Sequence, residues 1–223
     1  MKKTVLITGA STGIGLALAE KLLNQGAIVI GTSRSGVIDL QHKNFHALAL
    51  DLTNPSSIES AHQEILAKFE TINILINNAG VGPDLDTHRP EMESFAKTFS
   101  VNVTGAVFFT EPLIARIPHE GIIVNISSKM GSIAQCVTTD SVAYRMSKSA
   151  LNMYSKILTN RLKGVPKIVS IHPGWVQTEI TENSKLHARL TPQGSATNIL
   201  NFIQGDFKSG TFWDSESGVE LPW

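Results

Sequence analysis

Cys136 is the only cysteine in 223 residues, which excludes a disulfide within the chain and points to a reducing compartment. The 19 basic side chains are matched by 19 acidic ones, and no long Lys/Arg run appears. The electrostatic footprint of a nucleic-acid binder is therefore missing. No stretch approaches the roughly 18 consecutive apolar residues of a membrane-spanning helix. At the start, MKKTVLITGASTGIG, the apolar part covers only residues 5–7 before Thr and Gly intervene. That is too short for an export signal and reads as a first strand. These absences predict a cytoplasmic protein with neither nucleic acid nor membrane as partner. The seven histidines are scattered, and no His/Cys/Asp spacing resembles a closed zinc set, so no metal is expected.

What is present is a globular composition, 42% hydrophobic and 17% charged, on a length suited to one core. Short apolar runs alternate with longer amphipathic segments. Strands are predicted at 5–7, 28–31, 46–50, 72–76, 121–126 and 167–171, with a last one in SGTFWD. Helices are predicted at 14–23, after Asn54 as cap with Pro55 in the first turn, over 91–116 as one long helix, at 142–162, and at 192–203 with Thr191 as cap. The strand runs are rich in Val, Ile and Leu without alternation, as expected of strands buried on both faces. Serial βα units with right-handed crossovers give a single α/β domain over 1–223. It is a Rossmann-type, doubly wound, mostly parallel seven-stranded sheet with helices on both faces. Longer irregular stretches at 34–44, 81–90, 130–141 and 175–190 include several at the strand ends where such sheets bind ligands.

The first of these strand ends carries TGASTGIG, residues 8–15, directly between a strand and a helix. Gly9 permits a tight turn, Gly13 lets the backbone approach a pyrophosphate, and Gly15 lets the helix pack on the sheet. The helix amino end then faces the anion. No Gly-Lys-Ser/Thr follows, so this is not a Walker loop. At the end of the second strand, Ser33 and Arg34 fall near an adenosine ribose, and no acid lies between Ile28 and Val37. A guanidinium without a carboxylate there favours a 2′-phosphate, hence NADP(H) over NAD(H). Each feature has a plainer reading: a permissive loop without ligand, and a solvated cation. Asp39 is a further possible ribose partner, rather far along the chain.

Tyr144 and Lys148 stand four apart in a helical segment and so share a face. An ammonium beside a phenol favours the phenolate and lowers its pKa from about 10, which suits proton transfer. Two unrelated amphipathic side chains on one helix would look the same.

Taken together and in order, these motifs make the chain resemble the classical short-chain dehydrogenases/reductases over essentially its full length. TGASTGIG, with Ser11, Thr12 and Ile14 beside its glycines, resembles the family's cofactor loop. Asp51 and Leu52 resemble its adenine-contacting pair. NNAG, with Asn78, Ala79 and Gly80, resembles the motif that closes the fourth strand. PGWVQT, with Pro173, Gly174, Val176 and Thr178, resembles the segment that clasps nicotinamide. Asn102 in SVNVTG, Ser128 in IVNISS, and Tyr144 with Lys148 match the family's catalytic set. MGSI, YRMSKSALNM and the SGTFWD…LPW ending resemble the small carbonyl-reductase-like and cell-signalling-factor-like branch. Three departures stand out. Ser128 precedes Tyr144 by sixteen residues where thirteen is common, which makes Ser127 and Ser141 rivals. Asn73 replaces a frequent aspartate. The substrate segment, about 175–191, is short, implying an open pocket or one completed by a partner subunit.

The resemblance implies an NADPH-dependent reductase of a small-molecule ketone or aldehyde. In it Tyr144 is the general acid and Ser128 a donor to the same oxygen. Lys148 acts on Tyr144 and the nicotinamide ribose, and Asn102 positions a proton-relay water. It also implies a homodimer or homotetramer through the long helices, whose recurring Phe95, Phe99, Val103, Leu151 and Ile157 could equally be core. Other readings are a regulatory NAD(P)-binding protein with little turnover, and an epimerase or dehydratase on the same fold. His172 reads as a base or a satisfied strand-end residue. Cys136, Trp175 and Trp223 are possible pocket residues.

Overall fold

Each central strand is short, apolar and covered on both sides, and that double burial sets the architecture. The computed structural model describes residues 2–223. In chain order its elements are β1 (Thr4–Ile7), α1 (Gly13–Asn24), β2 (Ile28–Ser33), β3 (Phe45–Ala49), α2 (Pro55–Lys68), β4 (Ile74–Asn77) and α3 (Met92–Phe99). A π-helical segment (Ser100–Gly105), α4 (Ala106–Thr110) and a 3-10 segment (Glu111–Arg116) follow. Then come β5 (Ile122–Ile126), a 3-10 turn (Lys129–Gly131), α5 (Val142–Arg161), β6 (Lys167–His172), α6 (Glu182–His187), α7 (Pro192–Gln204), β7 (Thr211–Asp214) and β8 (Val219–Glu220). The sheet order is β3-β2-β1-β4-β5-β6-β7-β8. All neighbours are parallel except β8, which pairs antiparallel with β7 through Trp213 and Asp214. The direction of winding reverses between β1 and β4, so a crevice opens beyond their carboxyl ends.

Alternate residues of one strand serve two cores. Val5 and Ile7 pack with Leu18, Leu22, Ile199 and Ile203 on the α1/α7 side. Leu6 packs with Ile65, Phe109, Leu151 and Leu158 on the α2/α4/α5 side. Both side-chain sets must be apolar, which explains the unbroken strand runs. Asn54 Oδ1 accepts from the backbone N–H of Ser56 and Ser57, and Thr191 Oγ1 from that of Gly194, as the sequence predicts for these caps. Asn73 Oδ1 accepts from Thr4 N at 2.8 Å and ties the start of β4 to β1. Aspartate would make the same bond.

Three expectations need correction. The sheet has eight strands, because the two-residue β8 adds an edge too short to register as a periodic run. The residues between Trp175 and Leu190 are not wholly irregular: Thr181 caps the short α6 through a bond from Ser184 N. Residues 91–116 are not one helix. The backbone widens into the π turn at Ser100–Gly105 and tightens into 3-10 at Glu111–Arg116. Pro112 has no N–H to give in the tightened turn, and Phe109 O is met instead by the His62 ring, Nε2 at 2.8 Å. That bond places the histidine's proton on Nε2.

Within the π turn, Gly105 passes directly under α2's approach: a Cβ there would collide with the Leu52 carbonyl oxygen and lie 2.5 Å from Leu52 Cβ. Gly105→Ala is expected to destabilise the fold by about 1–3 kcal/mol, read as a lower urea midpoint at unchanged slope.

Candidate active site

The crevice is built on hydrogen bonds between the ends of β1 and β4. Thr8 Oγ1 accepts from Asn78 N and Ala79 N, both at 3.0 Å. Asn78 Nδ2 donates back to Thr8 O at 2.9 Å and Gly9 O at 3.0 Å. The glycine turn is thereby strapped to NNAG. Gly9 has φ +67° and so needs the left-handed region. A Cβ on Gly15 would collide with Gly9 O and reach Asn78 Nδ2 at 2.6 Å. No side chain caps the start of α1, since the Thr12 hydroxyl makes no cap bond. The first N–H groups of a twelve-residue helix are thus aimed past Ser11, Thr12, Gly13 and Ile14 into the crevice. Thr178 leans over this turn, its Cγ2 3.2 Å from where a Gly13 Cβ would stand. So Pro173–Thr178 and the glycine turn share one mouth.

At the β2 end, a cleft of about 570 Å³ is lined by Ser11, Ser33, Arg34, Ser35 and Val37. Arg34 and Asp39 are exposed, and Ser33 is buried with its hydroxyl donating to Val37 O at 3.1 Å. Asp51 sits beyond the cleft. Its carboxylate is held below the usual range by the Thr53 hydroxyl and backbone N–H, opposed by desolvation and helped by Arg34. Leu52 is buried against Gly105.

Two of the four catalytic candidates, Asn102 and Lys148, meet on the other side of Gly80. A Cβ at Gly80 would lie 3.3 Å from Asn102 Oδ1 and 3.4 Å from Lys148 Nζ. Asn102, in the π turn, holds Val81 by both backbone groups, accepting from its N–H and donating to its carbonyl, each at 2.8 Å. It also donates to Ser147 Oγ at 3.0 Å. These are long-range bonds, not the local backbone bond expected of a stray helical asparagine. Lys148 Nζ donates to Ile126 O at 2.9 Å and stands 5.5 Å from the Tyr144 ring centroid. The three serine candidates have different partners. Ser127 Oγ donates to Asn152 inside the core, and Ser141 Oγ accepts from Asp86 N at the start of α5. Ser128 Oγ accepts from Met130 N at 3.2 Å just beyond β5, and it acts to lower the Tyr144 phenol.

Burial moves both members of the Tyr–Lys pair toward neutrality. Desolvation pushes the Tyr144 phenol up to about 12, against the pull of Ser128 and with help from Asp84. Desolvation also brings the Lys148 ammonium down to about 8. The phenol is therefore not made acidic by its neighbour, as helix spacing alone suggests. Loss of hydration outweighs an ammonium that is itself turned to a carbonyl. Asp84, whose carboxylate accepts from Ala143 N and Tyr144 N, is the functional candidate that sequence reading missed. It lies in an unpatterned loop 60 residues from Tyr144, without a motif to mark it.

Residues 3–189 match the family described as short chain dehydrogenase. The chain belongs to this family. It is 31% identical to the 3-oxoacyl-(acyl-carrier-protein) reductase FabG of Vibrio cholerae, over 81% of this chain and 76% of that protein. A short-chain dehydrogenase/reductase from Burkholderia multivorans solved with bound NADP superposes with a TM-score of 0.88, at 28% identity over the whole of both chains. The NADPH-bound carbonyl reductase from chicken fatty liver gives 0.85 at 26% identity, over 100% of this chain and 99% of that one. Carbonyl reductases are thus among the similar family members, in keeping with the branch that the sequence resembles.

The remaining expectations sort by exposure. His172 ends β6, buried, with Nδ1 making no hydrogen bond among the described residues. Desolvation lowers it to about 4, with Asp214 acting in the opposite sense. Cys136 is exposed, Trp175 is exposed, and Trp223 stacks on Phe212 at 5.4 Å. Among the described residues no helix is long and apolar enough to cross a membrane. Because unfolding frees His172 to titrate near 6.5, its contribution is complete above that pH and lost as pH falls toward 4. Urea unfolding at pH 8 and pH 5 should show about 2 kcal/mol of pH dependence that His172→Asn removes.

Proposed function

We propose that the chain is an NADPH-dependent reductase of small-molecule ketones or aldehydes, with Asn102, Ser128, Tyr144 and Lys148 as its catalytic set. The placement of Asn102 and Lys148 against Gly80, with Lys148 Nζ 5.5 Å from the centroid of the Tyr144 ring, carries this reading. The glycine turn, drawn tight at Gly9 and Gly15 and facing uncapped helix N–H groups, fits a dinucleotide pyrophosphate. Ser11, Thr12, Ile14, Asn78, Ala79 and Gly80 would line the same groove, with Asp51 and Leu52 at the adenine end. Pro173, Gly174, Val176 and Thr178 would close over the nicotinamide. Ser33 and Arg34 would take the 2′-phosphate. NADP in the Burkholderia relative and NADPH in the chicken enzyme support that choice.

When bound, the cofactor supplies the hydride that reduces the carbonyl carbon. Tyr144 donates its proton to the carbonyl oxygen as charge grows there, and Ser128 donates a hydrogen bond to the same atom. A phenol held near 12 is fully protonated at neutral pH, the state a donor needs. An alkoxide is more basic than a phenolate, so the transfer runs downhill. Lys148, within reach of Gly80, holds the nicotinamide ribose and steadies the phenolate left behind. Asn102 positions a water through which the proton is replaced. The segment 175–191 is the proposed substrate wall. A homodimer or homotetramer through α4 and α5 is the proposed assembly, on the ground that Phe108, Met153 and Ile157 remain exposed there while Leu151 is spent in the core.

Steady NADPH oxidation with aldehydes, ketones or quinones is expected. Tyr144→Phe should lower kcat by about 10²–10⁴ while NADPH still binds. Unchanged turnover in that variant, or none across a broad panel in the parent, defeats the reading. Arg34→Ala should raise KM for NADPH about ten- to hundredfold and leave that for NADH nearly unmoved. A parent enzyme that prefers NADH would remove the assignment of Arg34.

A further inference from the structure

The helix that carries Tyr144 does not cap itself. Ser141, the residue before α5, has φ +55° and makes no side-chain cap bond. The free N–H groups are met from a distant loop. Asp84 Oδ2 accepts from Ala143 N at 2.7 Å and Tyr144 N at 3.2 Å, and Oδ1 reaches Tyr144 N at 3.2 Å. Asp84 is only 2% exposed, and among the described residues no Lys or Arg forms an ion pair with it. The loop around it is latched. Thr87 donates to Asp84 O through N and Oγ1, Asp86 N donates to Ser141 Oγ at 3.1 Å, and Ser141 N donates to Thr87 O at 2.8 Å. Asp86 and Ser141, both non-glycine, face each other in left-handed conformations (φ 66° and 55°), a strain that the latch must hold. Gly82 brings the same loop against the Tyr144 ring, with a Cβ there only 3.0 Å from Cδ2.

A neutral Asn or Ser would cap a helix as well, while a buried carboxylate without a cationic partner is costly. The charge therefore asks for a role beyond capping. We propose that Asp84 is a positioning residue for the reaction: its carboxylate fixes the first turn of α5, and so the Tyr144 phenol. Its negative charge opposes a second one on the phenol oxygen, keeping the phenol protonated, and so able to donate to a carbonyl oxygen, up to a higher pH. This rests on Tyr144 as the proton donor. The groups that face Tyr144 are few. Lys148 comes from its own helix, Asp84 from the β4–α3 loop, and the neutral Ser128 from the end of β5. Arg145 is turned to Asp140 at 2.9 Å, and Asp86 is exposed. Burial already disfavours phenolate, and Asp84 acts in the same direction.

The chain has two tyrosines, so ¹³C labelling at Cζ gives two signals, and Tyr144→Phe assigns them. In Asp84→Asn, which keeps an acceptor oxygen but loses the charge, the Tyr144 ionisation midpoint should fall by about one pH unit. The alkaline pH at which kcat for carbonyl reduction falls should drop with it. Asp84→Ala, which loses the acceptor too, should lower kcat about tenfold or more, and Asp84→Asn should recover most of that loss. A Tyr144 midpoint unchanged in Asp84→Asn overturns the proposal, as does equal impairment of the two variants. The midpoint comparison in Asp84→Asn stands whether or not Asp84→Ala folds. Because the signal is read without turnover, an active Tyr144→Phe would defeat the functional reading while the midpoint still tests the coupling.

Discussion

The hydrogen bonds between Thr8 and Asn78 hold the site together, because everything chemical is placed relative to them. They join the ends of β1 and β4 where the sheet's winding reverses, and fix the glycine turn against NNAG. Gly80 follows directly, and Asn102 Oδ1 and Lys148 Nζ approach to within 3.3 and 3.4 Å of where its Cβ would stand. A parallel sheet buried on both faces supplies rigid strand ends, and the ends of β1 and β4 define the mouth. Glycines at 9 and 15 let the turn, the start of α1 and NNAG close on one another, where a Cβ would meet Ala79 and the Gly9 carbonyl.

Electrostatics at this mouth is governed by dehydration rather than by pairing. Tyr144 and Lys148 are both nearly sealed from water, and each is driven toward its uncharged form. Such a pair is well suited to giving a proton to a stronger base and poorly suited to holding a standing phenolate. Asp84 adds to the same tendency from behind the helix start. The charge state of the ligand-free pair is thus written in the solvent exclusion of two side chains, more than in the spacing that first drew notice to them.

Much of this was legible in the chain. Doubly buried strands announce themselves as unbroken Val/Ile/Leu runs, and Asn54 and Thr191 mark helix starts by known cap chemistry. The glycine turn and NNAG, read in order, marked the two strand ends that the structure straps together. What escaped depended on tertiary context. The π and 3-10 segments between Ser100 and Arg116 have no periodicity of their own, and the apolar spacing from Phe95 onward reads as plain helix. β8 is two residues long. Asp84 is an acid in a loop of Gly, Pro and Asp, and only the fold shows that α5 begins on top of it. The phenol's direction of shift was misjudged because sequence spacing reports the distance to a neighbour and not the loss of water.

The ends of the Trp175–Leu190 excursion are pinned to each other. Val176 bridges Leu190, Gln177 N donates to Leu190 O, and Leu190 N donates to Trp175 O. A loop closed at its own base transmits little to the frame beneath it. Its far part, with α6, lies beyond Thr178 and can lengthen or change composition while Pro173 and Gly174 stay where β6 leaves them. In this arrangement evolution can exchange the outer part of the segment as a cassette, its two seams staying fastened to each other.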